Sequence, residues 1–176
     1  MSTSKTKKAG KSSAKQQKTI VKSTQSLSVV KPGIRSWVKD NYTPTKGAAK
    51  WTDKECFEHT LKKYQATTAE TLAKYQLKKD GPTLAAVADS SRPLHLLPED
   101  KKFVFDHANC SLCAKYYYRI DSCSSCPLGR IKKTCGKTHK DPYSVFIERD
   151  NPEPMILLME KLIAQCDKKG NWRGPK

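Results

Sequence analysis

Five of the seven cysteines in this 176-residue chain lie within one short segment, and this cluster constrains the fold more than any other feature. Their spacing is C-x2-C-x9-C-x2-C-x8-C, and they are Cys110, Cys113, Cys123, Cys126 and Cys135. A C-x2-C turn brings two thiolates to one side, and two such turns supply the four ligands of a tetrahedral ion. The spacing therefore predicts a small metal-stabilised module.

The predicted metal is one zinc ion per chain. Cys110 and Cys113 are assigned as ligands, and the other three cysteines of the cluster compete for the remaining two positions. Two ions that share a thiolate would normally need more donors than the cluster holds. His107 and His139 flank the cluster and are weaker candidates. The alternatives to zinc are an iron–sulfur cluster, which also uses four thiolates, and a redox-active or disulfide-bonded pair.

The pattern favours a structural metal over a catalytic one. Catalytic zinc keeps an open coordination position, commonly with His or carboxylate ligands and a nearby general base. The sequence contains no H-E-x-x-H, Walker, G-x-S-x-G or zinc-deaminase signature. We therefore expect a protein that is not an enzyme.

Positive charge is the second constraint, because the net charge is +17. Residues 1–50 hold 12 Lys or Arg and a single acid, Asp40, which gives this segment a charge of +11. Such a charge attracts DNA, RNA or an acidic protein surface. The alternative is a solubilising segment without a specific partner.

The cysteine cluster is itself basic, since Asp121 is the only acid from Cys110 to Lys140. Cations among aromatic side chains suit nucleic acid, through phosphate contacts and base stacking. Alternatively, these cations lower the pKa of the thiols and so favour metal binding. We expect at least one tyrosine of residues 116–118 in the core. The candidate nucleic-acid-binding residues are Lys115, Tyr117, Arg119, Arg130, Lys132, Lys133 and Lys137.

Three regions are predicted: a disordered basic arm and linker at 1–50, a helical domain at 51–168 and a tail at 169–176. Residues 1–28 contain too few apolar side chains to offset the entropy of ordering. Residues 29–50 carry scattered apolar residues, among them Trp37 and Tyr42. They form either a motif that docks on a partner or a segment that packs back on the domain.

The fold class is predicted as mainly α, a small zinc-stabilised helical domain. Thr52 and Glu55 form a capping box for a helix that extends to about Lys78. An amphipathic stripe predicts a helix at 152–167, and Asp141-Pro142 begins a shorter one. A short helix is expected at Thr83–Val87 and a strand at Lys102–Phe105.

Residues 110–163 resemble a group of short proteins encoded by tailed phages. The shared elements are Cys110-x-Leu112-Cys113, then Cys123-x-x-Cys126-Pro127-Leu128 and Cys135, followed by Pro142-Tyr143-x-x-Phe146 and an amphipathic helix. The resemblance covers about a third of the chain and implies a phage origin and a small metal-binding fold. It implies no activity. The long basic arm departs from the compact members of that group.

The expected function is nucleic-acid binding without catalysis, through the basic arm and the basic, aromatic metal module. The alternative is an adaptor or inhibitor that binds a host or phage protein, with Trp37 and Tyr42 as its anchors. No apolar run is long enough to span a bilayer, and the N-terminal residues lack a signal-peptide core. The expected location is the cytoplasm, that of the host cell for a phage protein.

Overall fold

The computed structural model describes residues 33–89, 91–116, 122–132 and 139–174, so the predicted disordered segment at 1–28 lies outside the described residues. The described part is mainly helical with one small sheet, which confirms the mainly α part of the predicted fold class, whereas zinc stabilisation stays a prediction. None of its helices has the length and apolar character that crossing a membrane requires. The elements are α1 (Ile34–Asn41), α2 (Asp53–Gln65), α3 (Ala69–Lys74), β1 (Leu77–Asp80), β2 (Thr83–Ala86), β3 (Lys102–Val104), α4 (Ser111–Tyr116), α5 (Ser122–Ser125), α6 (Pro127–Arg130), α7 (Pro142–Arg149) and α8 (Glu153–Ala164).

Helices with strong local signals begin where the sequence predicts. The Thr52 hydroxyl accepts a hydrogen bond from the Glu55 backbone N–H, and the Glu55 carboxylate accepts one from the Thr52 backbone N–H, which confirms the capping box of α2. The Asp141 carboxylate accepts the Ser144 N–H at 2.9 Å at the start of α7. These caps satisfy N–H groups that have no partner inside the helix.

The predicted helix from Thr52 to Lys78 is wrong in its second half. α2 ends at Gln65, and the Thr67 hydroxyl donates to the Tyr64 carbonyl at 2.7 Å. The Thr68 hydroxyl then accepts from the Thr71 N–H and caps the separate helix α3. Threonine hydroxyls compete with helical hydrogen bonds in this way, and two in succession end the helix.

The predicted helix at Thr83–Val87 is also wrong, because β2 is the central strand of an antiparallel sheet with the order β1-β2-β3. Asp80 pairs with Thr83 across the turn that contains Gly81 and Pro82. β3 confirms the predicted strand and pairs Val104 with Thr83. The first three residues of β2 are buried. A short apolar run that is buried on both sides has no periodicity that separates a strand from a helix.

Residues 34–50 belong to the packed unit and are not a linker, which corrects the boundary predicted at residue 51. Trp37 of α1 is 0% exposed, and its indole N–H donates to the Ala66 carbonyl at 2.8 Å. Its ring lies 5.2 Å from that of Phe103. The Tyr42 hydroxyl donates to the Asn109 side chain at 3.0 Å. Neither aromatic residue is an exposed anchor for a partner.

The predicted tail at 169–176 is likewise part of the fold as far as the chain is described. Trp172 is buried, and its backbone N–H donates to the Asp53 carboxylate at 2.9 Å. Trp172 also forms an antiparallel bridge with Cys166. The Gly170 carbonyl accepts the Lys54 backbone N–H at 2.9 Å. The C-terminal segment therefore closes over the start of α2.

Candidate metal centre

The first C-x2-C pair lies at the start of α4. Cys110 directly precedes this helix, and Cys113 lies in its first turn. The Cys113 side chain and the backbone N–H groups of Cys113 and Leu112 act to lower the pKa of the Cys110 thiol. The Cys113 side chain is the main reason that this pKa falls to about 6 against the opposing effect of desolvation. The charge of Lys63 lowers it further.

Cys126 occupies the same position in the second half of the cluster. Cys126 directly precedes α6 as its N-cap residue, and its side chain accepts no capping hydrogen bond. Burial raises the pKa of the Cys126 thiol to about 11 against the opposing effect of the Leu128 and Gly129 N–H groups, and the Cys110 and Cys123 thiols add to the increase. In both turns the first cysteine directly precedes a helix, and the N–H groups of the second and third residues that follow it act to lower the pKa of its thiol.

The N–H groups of both turns favour the thiolate, which is the form that binds metal, and they act together with Cys113 at Cys110, whereas burial outweighs them at Cys126. The influence of Cys110 and Cys123 on the Cys126 pKa shows that the two halves of the cluster are electrostatic neighbours. None of the six described cysteines forms a disulfide with another described residue. Within the described ranges, no three His, Cys, Asp or Glu side chains are arranged to hold a metal ion. Cys135 lies outside those ranges.

Gly129 fixes the second turn, because its backbone packs directly against that of Cys123. The cysteine spacing did not predict this contact. A Cβ atom at Gly129 would lie 1.6 Å from the Cys123 carbonyl oxygen and 2.6 Å from its carbonyl carbon. Real side chains do not approach the backbone so closely, and the neighbour here is backbone rather than a flexible side chain. The absence of a side chain at Gly129 is what allows α5 and α6 to pack together beside Cys126.

Gly129→Ala is expected to displace the Cys123–Cys126 segment, which includes most of α5. The displacement should lower both the zinc content and the stability of the protein. Overpacking of this kind typically costs about 1–3 kcal/mol. Ser125→Ala, which only shortens a side chain on the same segment, is the control. Metal analysis and urea denaturation of both variants measure the effect, and a Gly129→Ala protein with unchanged zinc content and midpoint would contradict the packing argument.

A cavity of about 280 Å³ lies against the first cysteine pair. Its lining includes Cys110, Cys113, His107, Asp106 and the buried Lys63. His107 is exposed, and its carbonyl accepts the Cys110 backbone N–H at 3.3 Å. The second candidate histidine, His139, is exposed and forms an ion pair with Glu148 at 2.6 Å. Of the two histidines, only His107 lies beside described cysteines.

The candidate nucleic-acid-binding residues divide into three groups. Arg130 and Lys132 are exposed near the end of α6. Lys115 is not available, because its ammonium group forms a 2.6 Å ion pair with Asp53 and its side chain is 12% exposed, which corrects its assignment. Tyr116 is buried, so the expected core tyrosine is confirmed. Four candidates lie outside the described residues: Tyr117, Arg119, Lys133 and Lys137.

The sequence did not identify Asp53 as a functional residue. In the structure it connects α4, which carries the first cysteine pair, to α2 and to the C-terminal segment. Its carboxylate accepts hydrogen bonds from the Lys115 ammonium, the Tyr116 hydroxyl and the Trp172 backbone N–H. Burial opposes ionisation, but these donors together lower the pKa of Asp53. The carboxylate therefore stays charged and holds α2, α4 and the C-terminal segment together.

Lys63 was also missed, although the sequence carried a signal for it. The buried residues of α2 are at positions 53, 56, 57, 60, 63 and 64, so Lys63 lies on the buried face of an amphipathic helix. A lysine on such a face is rarely fully buried unless it has a partner. No sequence signal identified Asp53, because its hydrogen-bond donors are 62 or more positions away.

Comparison with protein-family models, curated proteins and solved structures finds no match to this chain. The resemblance to tailed-phage proteins therefore stays a prediction.

Proposed function

We propose that this chain is a non-enzymatic zinc protein that binds nucleic acid. Cys110, Cys113, Cys123 and Cys126 would hold the ion, with Cys135 as the alternative ligand from the second half of the cluster. The supporting observation is the pair of matched turns, in each of which the first cysteine directly precedes a helix whose early N–H groups act to lower the pKa of its thiol. Four sulfur donors fit structural zinc, which contributes to folding and leaves no open position for catalysis.

The observation that carries the nucleic-acid proposal is a basic surface formed where the C-terminal segment meets α6. The Arg130 guanidinium lies 5.0 Å from the Trp172 ring, and a Cβ atom on Gly174 would lie 2.7 Å from its Nη2 atom. The C-terminal segment therefore passes directly beside Arg130. We define the C-terminal basic surface by the exposed cations at the end of α6 and in this segment, which are Arg130, Lys132, Lys168, Lys169 and Arg173.

One acid lies within this surface. Asp167 accepts hydrogen bonds from the backbone N–H groups of Asn171 and Lys169, which are the main reason that its pKa is lowered, and it pairs with the Arg173 guanidinium at 3.3 Å. These bonds hold the turn at 167–171 and orient Arg173. The remaining cations suit a phosphate backbone, and the +11 charge of residues 1–50 adds affinity that does not depend on sequence.

Replacing Arg130, Lys132 and Arg173 with Ala is expected to weaken binding to DNA or RNA and to flatten its salt dependence. The slope of log affinity against log salt changes by about 0.9 per phosphate contact on duplex DNA and about 0.7 on single strands. Loss of three contacts should therefore reduce the slope by about 2 to 3 units. Fluorescence anisotropy at several salt concentrations measures the slope for the full chain and the variant.

The matched control removes the same charge elsewhere. Lys39, Lys78 and Arg92 are exposed cations on α1, on β1 and in the segment between β2 and β3, so their triple Ala variant has the same net charge. Equal effects of the two triple Ala variants would show that binding depends on net charge alone and would overturn the proposed surface. A full chain without affinity for DNA or RNA at low salt would overturn nucleic-acid binding altogether.

The resemblance to tailed-phage proteins extends this proposal to an origin in a phage and to action in the host cytoplasm. The rival adaptor or inhibitor function is not favoured by a specific contact, because the two anchors assigned to it are engaged in the fold: Trp37 is buried and Tyr42 is hydrogen-bonded to Asn109. A host protein retained by the full chain after nuclease treatment would favour that rival.

A further inference from the structure

Lys63 is a buried cation on α2. It is 2% exposed, and its ammonium group donates to the Asn109 carbonyl at 2.7 Å. The same group lies 5.7 Å from the centre of the Tyr64 ring and 5.6 Å from that of Phe105. An ammonium ion in such surroundings is expensive to bury unless negative charge compensates it.

Negative charge is available on the cysteine side of the same cavity. Lys63, Cys110 and Cys113 line it together, and the carbonyl that accepts the Lys63 hydrogen bond belongs to Asn109, the residue before Cys110. Lys63 thus contacts the backbone of the first C-x2-C turn. Asp106 lines this cavity too, and its carboxylate accepts the Asn109 backbone N–H at 3.1 Å, so it is the competing source of negative charge.

Four thiolates carry more negative charge than one divalent ion neutralises. A nearby cation reduces this excess charge and so strengthens ligand binding, even where the cysteines are only partly buried. We propose that Lys63 is the charge-balancing residue of the thiolate centre and positions the Cys110 turn through Asn109. This inference rests on the proposed zinc function and adds a residue outside the cysteine cluster to the site.

The chain offers a matched pair of buried lysines for the test. Lys79 is 8% exposed, donates to the Phe146 carbonyl at 2.8 Å and lies 4.2 Å from the Phe146 ring centre. It therefore repeats the local surroundings of Lys63 but pairs with Asp150 rather than lining the cysteine cavity. Lys63→Gln and Lys79→Gln each keep a hydrogen-bond donor and remove the charge, whereas Lys63→Arg keeps the charge.

Zinc affinity of the full chain, measured by competition with a chromogenic chelator, is the readout. Lys63→Gln should weaken zinc binding by about 10- to 100-fold, as loss of outer-shell partners typically does. Lys63→Arg should bind within a few-fold of the wild type, and Lys79→Gln should lose thermal stability without losing zinc affinity. Asp106→Asn tests the competing source of negative charge. If Lys63 balances the charge of the thiolates, this variant should leave zinc affinity unchanged.

Each outcome either supports or overturns the proposed role of Lys63. Equal zinc affinities of wild type and Lys63→Gln would overturn the role of Lys63, as would an equal loss in Lys79→Gln or Asp106→Asn. If Lys63→Gln is unfolded at stoichiometric zinc, recovery of its fold in excess zinc supports the role by mass action. Failure to recover in excess zinc overturns it. A wild-type chain that folds without zinc would instead overturn the metal function itself, before any variant is compared.

Discussion

Removal of zinc from the purified chain is expected to unfold the cysteine module cooperatively. A structural zinc ion contributes about 10–16 kcal/mol of apparent binding free energy in small zinc-finger peptides, and that energy is folding energy. It is comparable to the whole stability of a typical domain, about 5–15 kcal/mol. Leu112, Tyr116 and Leu128 are buried in the common core, so loss of the module should also disturb the helices packed on it.

The measurement combines zinc analysis with circular dichroism during chelator titration under reducing conditions. We expect about one zinc per chain and a single transition, reversed when zinc is added back. Cys110→Ser and Cys113→Ser should each prevent this refolding. A chain that is fully folded without bound metal would contradict the prediction, and iron with inorganic sulfide in place of zinc would support the cluster alternative.

The control variants are Cys56→Ser and Cys166→Ser, which should keep their zinc. Burial raises the pKa of the Cys56 thiol to about 12, and its Sγ lies 3.8 Å from the Ser111 carbonyl oxygen. The Cys166 thiol donates to the Leu162 carbonyl of the preceding helical turn at 3.4 Å. Neither thiol belongs to the two matched turns, so loss of zinc from these variants would show that the ligands are misassigned.

The sequence predicted those elements whose ends are set by neighbouring residues. The start of α2 depends on Thr52 and Glu55, and that of α7 on Asp141 and Pro142, so the pattern was readable within a few positions. β2 was mistaken for a helix, because its conformation is imposed by pairing with β1 and β3 on either side. The hairpin with β1 is local, but the pairing that makes β2 the central strand involves β3, which begins 16 residues after β2 ends.

The candidate site was predictable to the same extent. The cysteine spacing located the two turns, because each turn is a local structure. The assignment of Lys115 to nucleic acid failed, because its partner Asp53 is 62 positions earlier. Lys63 and Trp172 reach the site from distant segments as well. Charge and spacing therefore located the module, whereas the groups that surround it depended on tertiary packing.

Trp37→Ala is expected to destabilise the fold by about 3–5 kcal/mol, the usual cost of deleting a buried aromatic side chain. Trp37 is 0% exposed and packs against Phe103 at 5.2 Å and Phe105 at 6.2 Å. Its replacement also leaves the buried Ala66 carbonyl without its indole donor. Urea denaturation of the full chain measures the change as a lower midpoint.

Trp37→Phe and Tyr42→Phe divide this effect into its parts. Trp37→Phe keeps most of the ring contacts and removes the hydrogen bond to Ala66, so it should cost less than Trp37→Ala. Tyr42→Phe keeps the ring and removes the hydroxyl with its hydrogen bond to Asn109, for which a net loss of about 0.5–1.5 kcal/mol is typical. The order of the three midpoints tests whether packing, rather than one hydrogen bond, holds α1 on the sheet.

The same variant distinguishes a folded α1 from a partner-binding linker. A linker anchor contributes to a complex and leaves the stability of the free chain unchanged, whereas a core residue does the reverse. If Trp37→Ala unfolds at the wild-type urea concentration, α1 does not hold the core together. Residues 34–50 would then again be candidates for a docking segment. If the midpoint falls as expected, truncation at residue 50 would remove part of the core, so tests of the basic arm must end their deletions before Gly33.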